Sequence, residues 1–292
     1  MQDFRMETFL TVCRHMNYTK AARELNLTQP AVSQHIRYLE NEYGVELFVQ
    51  NGKKLGLTAA GEILRSAAIV MKHDETHMKL RMQQTQKGIE RYSFGATLSV
   101  SEFMIVDKLE CFIRNHPQSH ICMQVANTKE LLRRLDSSEI DFAVVEGEFP
   151  KDQYEYLPFA KEEYIAVANC EKARVYDKVS VEDILKETLL LRESGSGTRE
   201  ILERWLGEQG IRVEHFTNLI ELGSIGAINH MLKAGMGITF CYKAAVQKEL
   251  NCGELTQIDL QGMPIEHEVM FIFQKDSIFR EDYLAIYRQL CE

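Results

Sequence analysis

Residues 19–40 read TKAARELNLTQPAVSQHIRYLE, and this stretch decides the fold of the N-terminal part of the chain. Its pattern of apolar residues predicts one short helix over 19–25 and a second over 29–40, with a tight break at 26–28 between them. Two short helices joined by about three or four residues form a helix-turn-helix, whose second helix enters the major groove of DNA. The stretch therefore predicts a DNA-binding unit.

The second helix has the expected start signals and an amphipathic pattern. Thr28 is a good N-cap, and Pro30 lies in the first turn, where its missing N–H costs nothing. The spacing predicts a buried stripe of Val32, Ile36, Leu39 and Tyr43.

The polar face of the second helix supplies the candidate DNA contacts. Gln can pair bidentately with adenine, and Ser can bond to most base edges. Arg37 lies further along the helix, so a phosphate is its expected target. Asn51-Gly52 is a hairpin signal that predicts a short two-stranded wing beside this helix. The predicted DNA-binding residues are Gln29, Pro30, Ala31, Ser33, Gln34, Arg37 and the wing residue Lys53.

The N-terminal region resembles the LysR-type transcriptional regulators. The matching stretches are FL (9–10), TxAAxxL (19–25), TQPAVS (28–33), IxxLE (36–40), GxxLF (44–48) and LTxxG (57–61). The resemblance implies a winged helix-turn-helix, a long linker helix that pairs with its twin, and a two-lobed α/β effector-binding domain similar to periplasmic binding proteins. Gln34 and Gln50 stand where members usually carry a basic residue. This difference predicts fewer phosphate contacts and a shallower salt dependence of DNA binding.

The chain is expected to contain a DNA-binding domain (1–58), a linker and dimerisation helix (59–89) and an effector-binding domain (90–292). Leu64, Met71 and Met78 repeat every seven residues, which is typical of a coiled-coil seam. From Tyr92 onward strands and helices alternate, which indicates parallel α/β units. The pattern predicts one helix over about 101–115 and strands over 164–168 and 215–221. By resemblance, lobe I is about 90–161 with 268–292, and lobe II is about 162–267.

Four predicted strand-to-helix junctions share the chemistry of an anion site, namely 97–101, 127–128, 195–198 and 223–224. They offer hydroxyls and free backbone N–H groups at helix N-termini, which favour negative charge. If they face one cleft, they suit a small carboxylate or another small anion; each one alone also fits a plain N-cap. The predicted effector-binding residues are Thr97, Ser99, Ser101, Thr128, Ser196, Gly197, Thr198 and Ser224. Arg192, Arg199 and Glu221 are further candidate polar contacts.

Charge is distributed unevenly along the 292 residues, whose net charge is −9. Residues 1–60 carry seven Lys/Arg and six Asp/Glu, whereas the remainder carries 27 and 37. A near-neutral head on an acidic body agrees with DNA binding by the head. No apolar run is long enough to span a membrane, and no signal peptide opens the chain, so a cytoplasmic protein is expected.

These observations predict a DNA-binding regulator whose operator binding or promoter activation is modulated by a small anionic effector. A two-fold symmetric operator and a dimer through the linker helix are expected, with a tetramer as a further possibility that the resemblance implies. No catalytic triad, metal motif or nucleotide loop occurs, so neither an enzyme nor a metal or cofactor is predicted. The alternatives are a redox-sensing member of the same family, since seven cysteines are present, and a cytoplasmic small-molecule binding protein.

Overall fold

A computed structural model describes residues 3–52, 54–87 and 89–291, and the chain divides into two compact units. The first unit contains the N-terminal 88 residues together with 136–139 and 274–281. Its elements are α1 (Phe4–His15), α2 (Tyr18–Glu24), α3 (Gln29–Tyr43), β1 (Phe48–Asn51), β2 (Lys54–Leu57) and α4 (Ala59–Lys87).

The predicted helix-turn-helix is confirmed in α2 and α3. Thr28 caps α3, since its Oγ1 accepts a hydrogen bond from the backbone N–H of Ala31 at 3.3 Å. Small Ala21 and Ala22 are buried in the head and allow close packing of the helices. The placement of α3 therefore follows from one cap and small residues on its neighbour.

Three of the four residues in the predicted stripe of α3 form the core of the head: Val32, Ile36 and Leu39 are 0–2% exposed. The prediction was wrong for Tyr43, which is 49% exposed. Tyr43 is the last residue of α3, and Gly44 follows it with a φ of +69°, so the chain turns away before the stripe continues.

The predicted wing is present as an antiparallel hairpin. Strands β1 and β2 pair from Phe48 opposite Leu57 to Asn51 opposite Lys54. Gly52, the first residue after β1, has a φ of +64°, a left-handed conformation that glycine adopts readily. The predicted DNA contact Lys53 lies outside the described residues.

Helix α4 has both a buried and an exposed side. Ala68 packs into the core of the head, whereas Met71, Met78 and Met82 are 43–64% exposed. Further along, Asp74 is buried and accepts hydrogen bonds from Ser277 Oγ (2.5 Å) and from the backbone N–H of Ile278 (3.0 Å). The exposed methionines leave an apolar stripe on a helix that is otherwise anchored within its own unit.

The second unit is an α/β body containing residues 89–135, 140–273 and 282–292. Its strands are β3 (Arg91–Ala96), β4 (His120–Val125), β5 (Phe142–Val145), β6 (Tyr154–Asn169), β7 (Thr188–Leu191), β8 (Asn218–Glu221), β9 (Thr239–Tyr242), β10 (Leu255–Gln257) and β11 (Ile265–Gln274). Its helices are α5 (Leu98–Phe103), α6 (Val106–Asn115), α7 (Thr128–Asp136), α8 (Cys170–Ala173), α9 (Val181–Ile184), α10 (Gly197–Glu208), α11 (Ile225–Lys233), α12 (Gln247–Asn251) and α13 (Arg280–Cys291).

In the part of the chain that the structure describes, a mixed sheet has the order β10-β6-β11-β5-β3-β4, with β9 also paired to β6. The predicted parallel units occur where β3 pairs with β4 and with β5, and where β7 pairs with β8 in a separate small sheet. The carboxyl ends of β3, β4 and β5 therefore lie at one edge, where the loops that follow them can meet.

Three predicted elements differ from the structure. The expected helix over 101–115 is broken into α5 and α6 at Met104 and Ile105. The expected strand over 215–221 begins only at Asn218, because a 3₁₀ turn occupies Val213–His215. Strand β6 begins at Tyr154, ten residues before the predicted start at 164. The sequence pattern missed its first half, because Pro158 and the charged residues there do not resemble a buried strand. The lobe boundaries remain a prediction. The two positions at which the chain would pass from one predicted lobe to the other, near 162 and near 267, fall inside β6 and β11.

No helix among the described residues combines the length and the hydropathy that a membrane span needs. All seven cysteines are free thiols. Burial raises the pKa of the Cys13 and Cys241 thiols to about 12, so neither is a reactive thiolate at neutral pH.

Candidate functional site

The polar face of α3 is open to solvent on a helix whose other face is fixed in the core. Gln29, Pro30, Gln34 and Arg37 are exposed. Ala31 and Ser33, on the same helix, are half-buried. A hydrogen bond of 3.0 Å between Thr8 Oγ1 and His35 Nδ1 ties α3 to α1. The face is thus presented by a rigid helix, which is the requirement for reading base edges.

The second unit contains a cavity of about 200 Å³ at the carboxyl ends of its strands. All four junctions predicted from the sequence contribute to it: Thr97 after β3, Asn127 after β4, Ser196 and Gly197 at the start of α10, and Gly223 after β8. The remaining lining comes from Leu98, Val125, Ala126, Glu146, Arg192 and Glu193. Five segments that are far apart in sequence therefore meet around one small space.

Two glycines allow the loop before α10 to approach the end of β5. A Cβ on Gly197 would lie 2.8 Å from Glu146 Cγ and 3.0 Å from Glu146 O, which no real side chain tolerates without a shift. Gly195 has a φ of +86°, a conformation that residues with side chains rarely adopt. The backbone at Gly197 therefore lies directly against Glu146.

Glu146 is the most unusual residue of the cavity. Its side chain is 2% exposed, and Oε2 has no hydrogen-bond partner among the described residues. Oε1 lies 3.4 Å from Thr198 Oγ1, a long hydrogen bond. An incompletely satisfied carboxyl in a buried site is costly, and such groups concentrate where a ligand binds.

Burial raises the pKa of Glu146 to about 7, and the nearby Arg192 guanidinium, with the hydroxyls of Ser99, Tyr242 and Thr198, opposes that shift only in part. Arg192 itself is held by Glu193 through two hydrogen bonds of 2.8 Å. Although burial alone would raise the pKa of Glu193, those hydrogen bonds lower it. The charges of Arg192 and Glu193 therefore cancel. The net charge of the cavity then depends on whether Glu146 is protonated.

The predicted hydroxyls divide into those that line the cavity and those that support it. Thr97 lines it, and its Oγ1 has no hydrogen-bond partner among the described residues. Ser101 donates to Leu98 O, and Thr128 donates to Glu146 O at 2.6 Å, so both hold the backbone in place. Ser224 caps α11 by accepting from Ala227 N–H at 3.3 Å, which is the plain capping role.

Residue-by-residue sequence reasoning missed Glu146 and only partly described the arginines. Arg192 lines the cavity, but Arg199 is bound elsewhere: it pairs with Glu203 and Glu221 at 2.7 Å each. The sequence held one signal for Glu146, since a charged residue directly follows the buried run Phe142–Val145 and precedes Gly147. A carboxylate at the end of a buried parallel strand lies where ligands bind in such sheets.

The chain is similar to proteins of known function in both of its parts. Residues 4–62 match the family described as "Bacterial regulatory helix-turn-helix protein, lysR family", and residues 86–281 match "LysR substrate binding domain". The chain is 32% identical over 267 residues to the "RuBisCO operon transcriptional regulator" of Acidithiobacillus ferrooxidans, with 90% of this chain and 85% of that protein covered.

Two solved structures share the fold at low sequence identity. Full-length LysG from Corynebacterium glutamicum with bound effector Arg has a TM-score of 0.62 at 16% sequence identity, over 99% of this chain and 98% of that one. The regulatory domain of Synechocystis CcmR in complex with 2-PG has a TM-score of 0.60 at 22% identity, over 70% of this chain and 98% of that one. These relatives are regulators, in agreement with the prediction that the chain is not an enzyme.

Proposed function

This chain belongs to the LysR family of DNA-binding transcriptional regulators, and on that premise we propose which of its residues contact the operator and where its effector binds. The proposed DNA contacts are Gln29, Pro30, Ala31, Ser33, Gln34 and Arg37 on α3, with Lys53 from the wing. The proposed effector site is the cavity around Glu146. As a regulator of transcription, the protein is expected to act in the cytoplasm.

The exposed polar face of α3 is the observation that carries the DNA-binding part of the proposal. Gln29, Gln34 and Arg37 are solvent-exposed and Ser33 is half-buried. Val32 and Ile36, one step around the helix, are fully buried. Gln29 and Ser33 lie one turn apart near the N-terminus of α3, the end of a recognition helix that contacts bases. Arg37 lies a turn further on, where a phosphate is in reach.

A dimer through α4 would present two such faces to a two-fold symmetric operator. The support is the apolar stripe of Met71, Met78 and Met82, which is exposed on an otherwise anchored helix. Exposed apolar stripes with a seven-residue repeat pack against a second helix. Sedimentation equilibrium distinguishes a dimer from a tetramer, and Met78→Glu should weaken the dimer in either case.

A small anion suits the cavity in size and in chemistry. About 200 Å³ accommodates a ligand of a few heavy atoms, smaller than a drug-like molecule. The N-terminus of the twelve-residue helix α10 opens at Gly197 in the lining and carries about half a positive charge. 2-PG and arginine, which are named with the related structures, are therefore the first two probes, with 2-PG expected to bind.

The test is a salt titration of binding to the DNA just upstream of the protein's own coding region, with random DNA of equal length as the control. Specific binding should be present, and it should weaken when Gln29 and Ser33 are both replaced by Ala. An effector is then identified as a probe that changes this binding or the DNA bend. Equal affinity for the upstream and random DNA at every salt concentration would contradict the assignment of this operator.

A further inference from the structure

Glu146 poses a problem for an anion site. A buried carboxylate beside an anion is repulsive, yet this side chain lines the cavity and has an oxygen, Oε2, without a hydrogen-bond partner among the described residues. A purely structural acid would be expected to have both oxygens satisfied. The unsatisfied oxygen instead indicates that the missing hydrogen bond of Glu146 is made to the ligand.

We propose that the effector anion is bound by the protonated carboxyl of Glu146, which donates its O–H to a ligand oxygen, so that the anion enters together with one proton from solvent. This inference rests on the proposed anionic effector and adds the chemical form in which the site accepts it. The ligand class is a small oxyanion, such as a carboxylate, sulfate or phosphate. Carboxylates and sulfate carry their full charge at neutral pH, so a proton taken up with them is held by the protein.

The charges around Glu146 favour this form. Arg192, in the loop after β7, is the cation that faces Glu146, and it is engaged by two hydrogen bonds to Glu193. The cavity is therefore close to neutral when Glu146 is protonated and carries one negative charge when Glu146 is ionised. The half-positive N-terminus of α10 adds to the attraction for an anion in the first state and is outweighed in the second.

The neutral groups around Glu146 are hydroxyls, and they leave its O–H free to donate a hydrogen bond to a ligand oxygen. Tyr164, from β6, already donates its hydroxyl to Thr198 O at 2.8 Å. The hydroxyl of Tyr242, at the end of β9, lies near Glu146 and 2.9 Å from Nδ1 of His267. Ser99 approaches from α5. The groups that pack on Glu146 are thus mainly hydroxyls, which can adjust to either protonation state.

The pKa of Glu146 lies near neutral pH, so both of its protonation states are accessible there. Burial raises the pKa of Glu146 to about 7, so a modest change in its surroundings shifts the balance at neutral pH. An anion at hydrogen-bond distance raises the pKa further, because it stabilises the O–H form and repels the carboxylate. Anion binding and proton uptake are therefore linked, and each must strengthen the other.

The test uses sulfate, whose charge does not change between about pH 6 and pH 8.5, and the full-length protein. Isothermal titration calorimetry in two buffers of different ionisation enthalpy measures the protons taken up per bound sulfate. The expected uptake is close to one proton at about pH 8 and close to none at about pH 6. Sulfate affinity should fall about tenfold per pH unit above about pH 7.

Glu146→Gln is the matched variant, because the amide has nearly the same shape as the protonated acid and can donate a hydrogen bond. It should bind sulfate with an affinity close to that of the wild type at about pH 6, and its binding should be independent of pH with no proton uptake. Circular dichroism at both pH values establishes that the variant is folded. His267→Gln controls for the other titratable group in contact with Tyr242 and should leave the uptake unchanged.

The outcomes separate this inference from the proposed function. Sulfate binding without proton uptake would overturn the role of Glu146 while leaving an anion site in place. No sulfate binding at any pH would overturn both this inference and the anionic effector, whereas operator binding is tested independently. Proton release on binding of methylammonium, lost in Glu146→Gln, would show that the ionised carboxylate holds a cationic ligand instead.

Discussion

The polar face of α3 comes from one stretch of sequence, 29–37, whereas the cavity around Glu146 is lined by segments that lie between 97 and 223. The first is exposed on a helix whose buried side is fixed separately. In the second, the same side chains line the ligand space and fill the interior. Substitutions on α3 should therefore change binding alone, but substitutions at the cavity should change binding and stability together.

The largest expected effect is on DNA binding. Replacing Gln29 and Ser33 by Ala should reduce affinity for the specific operator by about 2–6 kcal/mol, since each good base contact contributes about 1–3 kcal/mol. The thermal stability of the protein should stay the same. Fluorescence anisotropy with specific and random DNA measures the first quantity, and calorimetry the second.

The matched control is Glu208→Gln, which also alters an exposed polar residue on a helix but lies on α10. It should affect neither measurement. A loss of stability in the α3 variant comparable to its loss of binding would break the contrast between the two regions.

The next effect concerns pH and the cavity. Because burial raises the pKa of Glu146 from 4.5 to about 7, the folded state favours the protonated acid. Its contribution to stability is complete below about pH 4.5 and is lost as pH rises through about 7, a change of about 3 kcal/mol at most. Wild type should therefore lose stability relative to Glu146→Gln over this interval.

Urea unfolding followed by Trp205, the single tryptophan of the chain and a buried residue of the second unit, measures that difference. Comparing the two proteins at each pH cancels the titration of other groups. A difference in unfolding free energy that stays constant from about pH 5 to pH 8 would contradict the raised pKa.

Two glycines of α10 offer a sharper test of close packing. Gly197→Ala should cost about 1–3 kcal/mol of stability and weaken anion binding, because its Cβ would lie 2.8 Å from Glu146 Cγ. Gly207→Ala is in the same helix with open space around it and should instead stabilise by about 0.5–1 kcal/mol. Equal effects of both changes on Trp205 unfolding curves would mean that the loop does not contact Glu146.

The smallest effect is expected for Arg37→Ala. Loss of one phosphate contact should weaken binding to specific and random DNA alike and reduce the slope of log affinity against log salt by about 1. The Gln29 and Ser33 variant should retain the full slope, which makes it the control. If Arg37→Ala changed the preference for specific over random DNA without changing the salt slope, Arg37 would contact a base and not a phosphate.

The sequence by itself determined the DNA-binding head and the family. Its signals act over short distances: a cap at Thr28, a stripe from Val32 to Leu39 and a turn at Gly52 each depend on residues a few positions apart. The alternation of strands and helices also located the junctions near Thr97, Asn127, Ser196 and Gly223, but only the structure showed that they line one cavity. The exceptions, such as exposed Tyr43 and the long strand β6, arise where a helix ends or where pairing partners override local preference.

Only the tertiary structure decided how the cavity works. In the sequence Glu146 is one of 43 acidic residues, and its place after the run Phe142–Val145 does not show that its own side chain is buried. Its raised pKa follows from desolvation by segments brought together from across the second unit, and its partners Arg192 and Tyr242 are 46 or more positions away. Burial is a property of the whole fold, so the chemistry that depends on burial becomes visible only after the chain has folded.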